Sequence, residues 1–461
     1  MTSVEQITGL GNNGLQRVIL PPINNPSNNS YSYQGNNIIQ FALPNSMVMA
    51  DFSTLRLSGS LRFTNNAGMT QGDSGEWTKI FQDPYLGINS VFRSLEFSST
   101  GGNRQSIEKV QNYNQMLQTI LPALNSTSNY VTDLGINNLA SQNIVFGSKF
   151  FMQNASYFKD TASGGDNTAF GIRFSTPLYS GLTMATGQKI PLGLLNGVTV
   201  TLELQADNAV FCSTAVTSAE QNRIKYELFD LKLECELYSP TAEERVALMN
   251  QKQGVLQCNT FTSLFSVVQS SQANVSFNLG TKELVSALFK FCPTNSVNNL
   301  GANEYQSSRI ISAGNETQQF TRVRFQRAGV EFPLFFPINV VSGSIEAQLN
   351  KYYLQALKNV HTKKDPRLCN DLLTNDPRWA IGATDNKFTL ANQVKYQNKL
   401  NQVYGIGYDF FSSMTGADFD GKPWSVTLDS NLSDARTNAM YAFVLAKTDI
   451  MFNENGVMVV S

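Results

Sequence analysis

Histidine is all but missing from this chain of 461 residues: His361 stands alone. Ser-His-Asp hydrolysis, HExxH metalloprotease chemistry and three-histidine metal centres each need imidazole at fixed places, so this scarcity excludes all three. Charge is thin as well. Only 15% of residues are Asp, Glu, Lys or Arg, against roughly 25% in average soluble domains. The 34 basic and 35 acidic residues leave a formal charge of -1. No global field draws such a molecule onto nucleic acid or an anionic membrane, and sequence-specific nucleic-acid binding is not expected. The five cysteines, Cys212, Cys235, Cys258, Cys292 and Cys369, never reach CxxC spacing. Their odd number makes a poor disulfide framework, so they read as buried, reduced thiols of a protein made and folded inside a cell. No apolar run approaches the roughly 18 residues of a spanning helix. The opening MTSVEQITGLGNN carries Glu5 and no apolar h-region, so neither a transmembrane segment nor a secretory signal is expected.

Neutral polar residues fill the gap. Asn occurs 47 times, beside 32 Gly, 15 Pro and 30 Phe. Asn favours turns over helix interiors and Phe favours strands, which predicts an all-β protein with long connections and excludes a coiled coil or helical repeat. Period-two alternation marks the strands. It is clearest at 91–97, 144–151, 170–174, 194–204 (LLNGVTVTLEL) and 224–237 (IKYELFDLKLECEL).

Residues 1–35 read as a weakly patterned arm that orders only against a neighbour, since the Pro21-Pro22 pair and the Asn/Ser-rich stretch offer little to bury. On that reading, removing residues 1–30 leaves soluble protein but impairs assembly. Strand patterning then fills 36–240. Pro240 and a capping box, Thr241 with Glu244, open a short linker helix in 241–254. A second β-rich half occupies 255–461, interrupted by a helical excursion near 346–379 whose helix, 346–361, has apolar spacing near 3.6. The halves echo each other: each opens on alternating strands around a polar interruption and closes on a long alternating strand, 224–237 and 440–452. This pattern fits a duplicated β-sandwich and also fits two adjacent, unrelated β-domains.

Four segments carry a more specific likeness: FALPNSMVMADFSTLRLSGSLRF (41–63), IPLGLLNGVTVTLEL (190–204), RVRFQRAGVEFPLFFPINV (322–340) and the region 404–461. In their order and spacing the chain resembles the double jelly-roll major capsid proteins of double-stranded DNA viruses, most closely those of polinton-like viruses, adintoviruses and virophages. The resemblance implies two consecutive eight-stranded jelly-roll β-sandwiches, with short helices in linker and loops. It implies a structural, non-enzymatic protein that forms a homotrimer, a pseudo-hexagonal capsomer tiling an icosahedral virion shell. The partners it implies are the chain itself, neighbouring capsomers, and penton and minor capsid proteins. The Asn/Ser/Gly-rich segments 64–76, 123–139, 162–167 and 295–318 would then form tower tops and intersubunit loops.

No catalytic, cofactor-binding or metal-binding residue is assigned. Asp409, Asp418 and Asp420, or Glu243 and Glu244, could supply the paired carboxylates of glycoside hydrolysis without histidine. Solvated loop acids and a helix N-terminus account for them equally simply, and the Asp418/Asp420 spacing is far from an EF-hand calcium loop. His361, followed by Lys363 and Lys364, reads as a helix C-terminus. Gly405 and Gly407 lack the third glycine of a dinucleotide fingerprint, and no P-loop is present. Arg322, Arg324 and Arg327 read as one polar face of a strand that meets a neighbouring carboxylate or the genome. The sequons at Asn28, Asn125, Asn154, Asn274, Asn315 and Asn431 are accidents of an Asn-rich chain. Phe150, Phe151, Phe332, Phe335 and Phe336 are expected to pack a sandwich core in preference to caging a sugar. The alternative from another class is a two-domain β-sandwich that binds or cleaves carbohydrate, with Asp418 and Asp420 as its candidate site.

Overall fold

In the computed structural model of the chain, the described residues are 5–7, 14–65, 80–82, 86–100, 104–124, 158–160, 172–185, 189–213, 224–243, 255–268, 272–277, 283–293, 320–327, 330–332, 338–339, 345–360, 406–409, 424–430, 438–453 and 456–460. Alternating sequence becomes paired strand throughout them. The first sheet runs Glu5–Ile7, Leu15–Leu20, Ile224–Tyr238, Met49–Asn65, Ile172–Pro177, with three short strands attached to its two longest members. The second runs Ile406–Asp409, Glu283–Pro293, Asn438–Asn453, Val255–Val268, Ser106–Gln111, Phe92–Ser99, Val198–Leu204, Ile38–Leu43. A third sheet runs Gln272–Phe277, Trp424–Ser430, Phe320–Arg327, Val330–Phe332.

These sheets close two sandwiches. The first sheet faces the last four strands of the second, and stacked Phe52 and Phe97, 5.5 Å between ring centroids, tie the layers together. The third sheet faces the first four strands of the second, and Phe289 meets Phe325 across that gap at 6.4 Å. The architecture is therefore two consecutive jelly rolls whose inner sheets are continuous through one parallel bridge, Thr262 beside Lys109. Apart from the short strand Phe158–Asp160, which runs parallel to Met49–Asn65, the other described pairings are antiparallel.

The strand Ile224–Tyr238 shows how local sequence sets the core. Tyr226 and Leu228 point inward on even positions, whereas Leu231, Leu233, Cys235 and Leu237 do so on odd ones. A bulge between Phe229 and Lys232, with Asp230 at φ 53, inserts the residue that switches the parity. Asn29 Nδ2 donates to Asp230 Oδ1 at 2.8 Å and holds that kink. Tyr226 then fixes the strand to the far layer, its hydroxyl donating to Gln205 O and, at 3.4 Å, to Val91 O.

Several expectations need correcting. Residues 15–31 are not a free arm. Leu15–Leu20 pairs with Leu233–Tyr238, Ser30–Tyr31 pairs with the same strand, and Val18, Leu20 and Tyr31 are buried in the core. The alternation of LQRVIL is too short to announce a strand, but an open edge of the long strand supplies its partner. The helix Tyr113–Leu124 went unforeseen; Tyr113, Met116, Leu117, Ile120 and Leu121 bury its inner face at helical spacing. Strand starts shift too: Gly87–Val91 is a 3-10 turn ahead of Phe92, and Asn196 and Gly197, at φ 55 and 85, turn the chain ahead of Val198. The expected helix at 346–361 is present as Ile345–Val360. Of the linker helix only Ala242 and Glu243 are described, and the strand expected at 144–151 lies outside the described residues.

Two outcomes follow for stability. Phe52→Ala is expected to cost about 3–5 kcal/mol, read as a lower denaturant midpoint, because it removes the inter-sheet stack. Deleting residues 1–30 is expected to lower the melting temperature of the chain itself. It exposes an edge and removes Val18 and Leu20, each contributing about 1.5–3 kcal/mol by burial.

Candidate functional site

The residues that sequence reasoning singled out for chemistry do not converge. Asp409 ends the strand Ile406–Asp409 opposite Ser286, while Asp418 and Asp420 lie outside the described residues. Glu243 is exposed; Glu244, His361, Lys363, Lys364, Gly405 and Cys369 lie outside them. Gly407 sits within a strand opposite Leu288. Arg322 and Arg324 stand in strand register with Asp429 and Thr427. Phe332 pairs with Phe325, and Phe150, Phe151, Phe335 and Phe336 lie outside the described residues. Asn28 lies in a turn and Asn274 in a strand; the other four sequons fall outside. Cys235 and Cys258 are free, buried thiols, each pushed up to about 12 by burial. Among the described residues no cluster of three His, Cys, Asp or Glu side chains could hold a metal. No described helix is long and apolar enough to cross a membrane.

What the fold does bring together is a junction. Glu108, only 2% exposed, sits on the inward face of Ser106–Gln111 opposite Phe97. Its Oε1 accepts from Gly181 N at 2.8 Å in the first sandwich and from Phe261 N at 2.7 Å in the second. Its Oε2 accepts from Leu182 N at 3.2 Å. The helical turn Gly181–Met184 is seated by a capping box from Ser180 to Thr183. A Cβ on Gly181 would stand 2.5 Å from Asn259 O and 2.8 Å from Thr260 Cα, so glycine is what lets the two backbones meet. Beside it, Thr260 and Thr448 share a buried hydroxyl contact of 2.6 Å. Lys290, 2% exposed, donates to Gln115 Oε1 at 2.7 Å and ties the second sandwich to the helix Tyr113–Leu124. None of these contacts was read from the sequence. The usable signal was an acid on the buried face of a strand, Glu108 in line with Val110.

A second feature is an exposed apolar margin. Phe265 and Val267, 52% and 41% exposed, share one face of Val255–Val268. At the other end Val255, 59% exposed, lies across from Met451, which lies across from Met458, 51% exposed. Between these ends the same face carries first a polar stretch, with Gln257 bonded to Asp449 and Lys447 paired with Glu283, and then the buried Phe261, Leu445 and Phe443. Such a face suits contact with protein better than it suits a small-molecule pocket.

Two jelly-roll sandwiches in tandem, sharing a sheet and presenting no assembled catalytic group among the described residues, define a structural class of protein: the double jelly roll. Chains of solved viral structures share this architecture. The chain is similar to PBCV-1 VP54 as fitted into a reconstruction of the virophage Sputnik, at 11% identity, covering 99% of this chain and 98% of that one, with a TM-score of 0.53. It is similar to the chain in the quasi-atomic model of the PBCV-1 virus capsid, at 10% identity, over 99% and 98%, with a TM-score of 0.51. It is also similar to a chain in the 3.5 Å structure of the Sputnik virophage, at 11% identity, over 99% and 90%, with a TM-score of 0.52. No protein-family model and no curated protein sequence matches the chain. The double jelly-roll likeness expected from the sequence is thus present in the fold.

Gly181→Ala is expected to destabilise the chain by about 1–3 kcal/mol, measured by chemical denaturation, because the added methyl meets backbone rather than a yielding side chain. Gly35→Ala, whose Cβ would meet only Ser32 Oγ, serves as the milder comparison.

Proposed function

We propose that the chain is the major capsid protein of a double-stranded DNA virus, a non-enzymatic structural protein that trimerises into pseudo-hexagonal capsomers and tiles an icosahedral shell. The observation that supports this reading is the end-to-end likeness: 99% of this chain aligns with 98% of a chain from a virus capsid. We take residues 36–240, joined by the strand and core residues of 15–31, as one jelly roll, 255–461 as the other, and 241–254 as their link. Neighbouring copies, then penton and minor capsid proteins, are the partners. The exposed apolar ends of Val255–Val268 support a role for copies of the chain in covering them, since burial of one Phe side chain is worth roughly 1.5–3 kcal/mol. A charge of -1 spread over few charged residues suits close lateral tiling, where large like-signed faces would repel. Nothing among the described residues favours the carbohydrate-binding or glycoside-cleaving alternative, whose Asp418 and Asp420 lie outside them.

Native mass of the purified protein, with negative-stain images of the same peak, tests the proposal. The expected species contains three chains of 50.9 kDa each and has a pseudo-hexagonal outline; a monomer that persists across concentrations overturns it. Phe265→Asp is expected to weaken self-association more than about tenfold in sedimentation velocity. Its stability should fall by only about 0.5–1.5 kcal/mol, the worth of the lost ring contact between Phe265 and Tyr441.

A further inference from the structure

Among the described residues, the second sheet ends at the strand Ile38–Leu43, which pairs with Val198–Leu204 on one side only. Leu204 N donates to Asn37 O at 2.8 Å, so the odd-numbered residues turn their backbone groups inward. Ile38, Gln40 and Ala42 therefore turn theirs to the open edge. A row of unpaired N–H and C=O groups is a template for another strand. Here two residues from the preceding segment occupy it. Asn24 Nδ2 donates to Ile38 O at 2.7 Å, and Asn24 Oδ1 accepts from Gln40 N at 2.9 Å. Ile23 N donates to Gln40 O at 2.7 Å.

A carboxamide carries both the donor and the acceptor of a peptide unit, so the Asn24 side chain fills the place of one residue of an adjoining strand. The segment around it does not pass the edge on. Pro21, Pro22 and Pro26 have no N–H to offer a further strand. Tyr31, buried in the core, donates from its hydroxyl to Asn24 O at 3.4 Å and ties the segment down. What the edge would accept if it were open is set by its own sequence. IIQFAL is uncharged and alternates, so a second copy laid against it antiparallel meets no like charge and continues the apolar face of Ile39, Phe41 and Leu43. Such a strand would also cover Ile23 and Ile38, which are 48% and 44% exposed.

We propose that Asn24 is an edge guard: its carboxamide closes the end of the second sheet at Ile38–Leu43 against strand addition by a second copy of this chain. Self-association is thereby confined to other surfaces. The guard is a property of the folded chain and does not depend on the capsid reading. With the carboxamide removed, Ile38 O and Gln40 N return to the open edge, and the same strand of another copy can supply their partners.

Asn24→Ala in the full chain tests this, with a dye-labelled synthetic peptide of residues 36–45 (NNIIQFALPN) as the probe. In the wild type the Gln40 amide is expected to be protected from hydrogen exchange, and the peptide, followed by fluorescence anisotropy, is expected not to bind. In Asn24→Ala the Gln40 amide should exchange about tenfold faster, the scale of a lost hydrogen bond. The peptide should then bind saturably, and sedimentation velocity should show species larger than those the wild type forms at the same concentration. A peptide with proline in place of Gln40 should not bind; equal binding by it overturns the strand-edge assignment. A variant whose Gln40 amide is released while neither peptide nor second copy adds also overturns the proposal, because Asn24 is then only a local tie. If Asn24→Ala does not fold, Asn24→Asp, which keeps an acceptor for Gln40 N and loses the donor to Ile38 O, decides by the same readings. The wild type alone overturns the proposal by binding the peptide, or by exchanging Gln40 at the unprotected rate.

Discussion

One sheet passing from one sandwich into the next is the constraint on which the structure turns. The antiparallel strands of the two sandwiches meet at a single parallel bridge, Thr262 beside Lys109, where neither ladder can satisfy every backbone group. Glu108 resolves this by accepting from Phe261 on one side and from Gly181 and Leu182 on the other. Around it, the glycine at 181 lets the two backbones approach, the Thr260–Thr448 contact braces the second sandwich, and the Lys290–Gln115 bond ties that sandwich to the helix Tyr113–Leu124. The strand Asn438–Asn453 is consequently buried on both faces from Met440 to Ala446, as expected of a strand inside a shared layer and unlike one on the outside of a sandwich.

Composition and architecture agree on the kind of protein this is. A chain with much Asn is well equipped for turns. Three of the four described non-glycine residues in the left-handed region are Asn29, Asn112 and Asn196. Each lies where the chain reverses or enters an element: before Ser30–Tyr31, before the helix Tyr113–Leu124 and before Val198–Leu204. The asparagines thus serve the connections between strands, and the phenylalanines, such as Phe41, Phe52, Phe92 and Phe97, fill the layer between sheets.

Much of the fold was legible because period-two alternation survives wherever one face of a strand is buried. Ile224–Tyr238 and Val198–Leu204 were visible for that reason, and Ile345–Val360 because its apolar spacing follows the helix. Leu15–Leu20 was not, since six residues carry little pattern and their partner lies more than 200 positions away. Tyr113–Leu124 was hidden among polar residues, although its apolar positions do recur every three or four. The carboxyls that burial perturbs, Glu108 and Asp207, were passed over in favour of acids grouped along the chain, because the burial that shifts them depends on neighbours remote in sequence.

The sequence by itself determined the scarcity of imidazole and charge and the type of element: one histidine, 15% charged residues, and alternation that suits half-buried strands. Those properties are local, carried by residue type and by periods of two. Only the tertiary structure decided that the two sandwiches share a sheet, that residues 15–31 complete the first of them, and that a single glutamate stands where the halves join. The reason is physical. Phe261 is 153 residues from Glu108, and chain order alone does not say which strand edge a distant N–H will meet, or which acid will be stripped of water when it does.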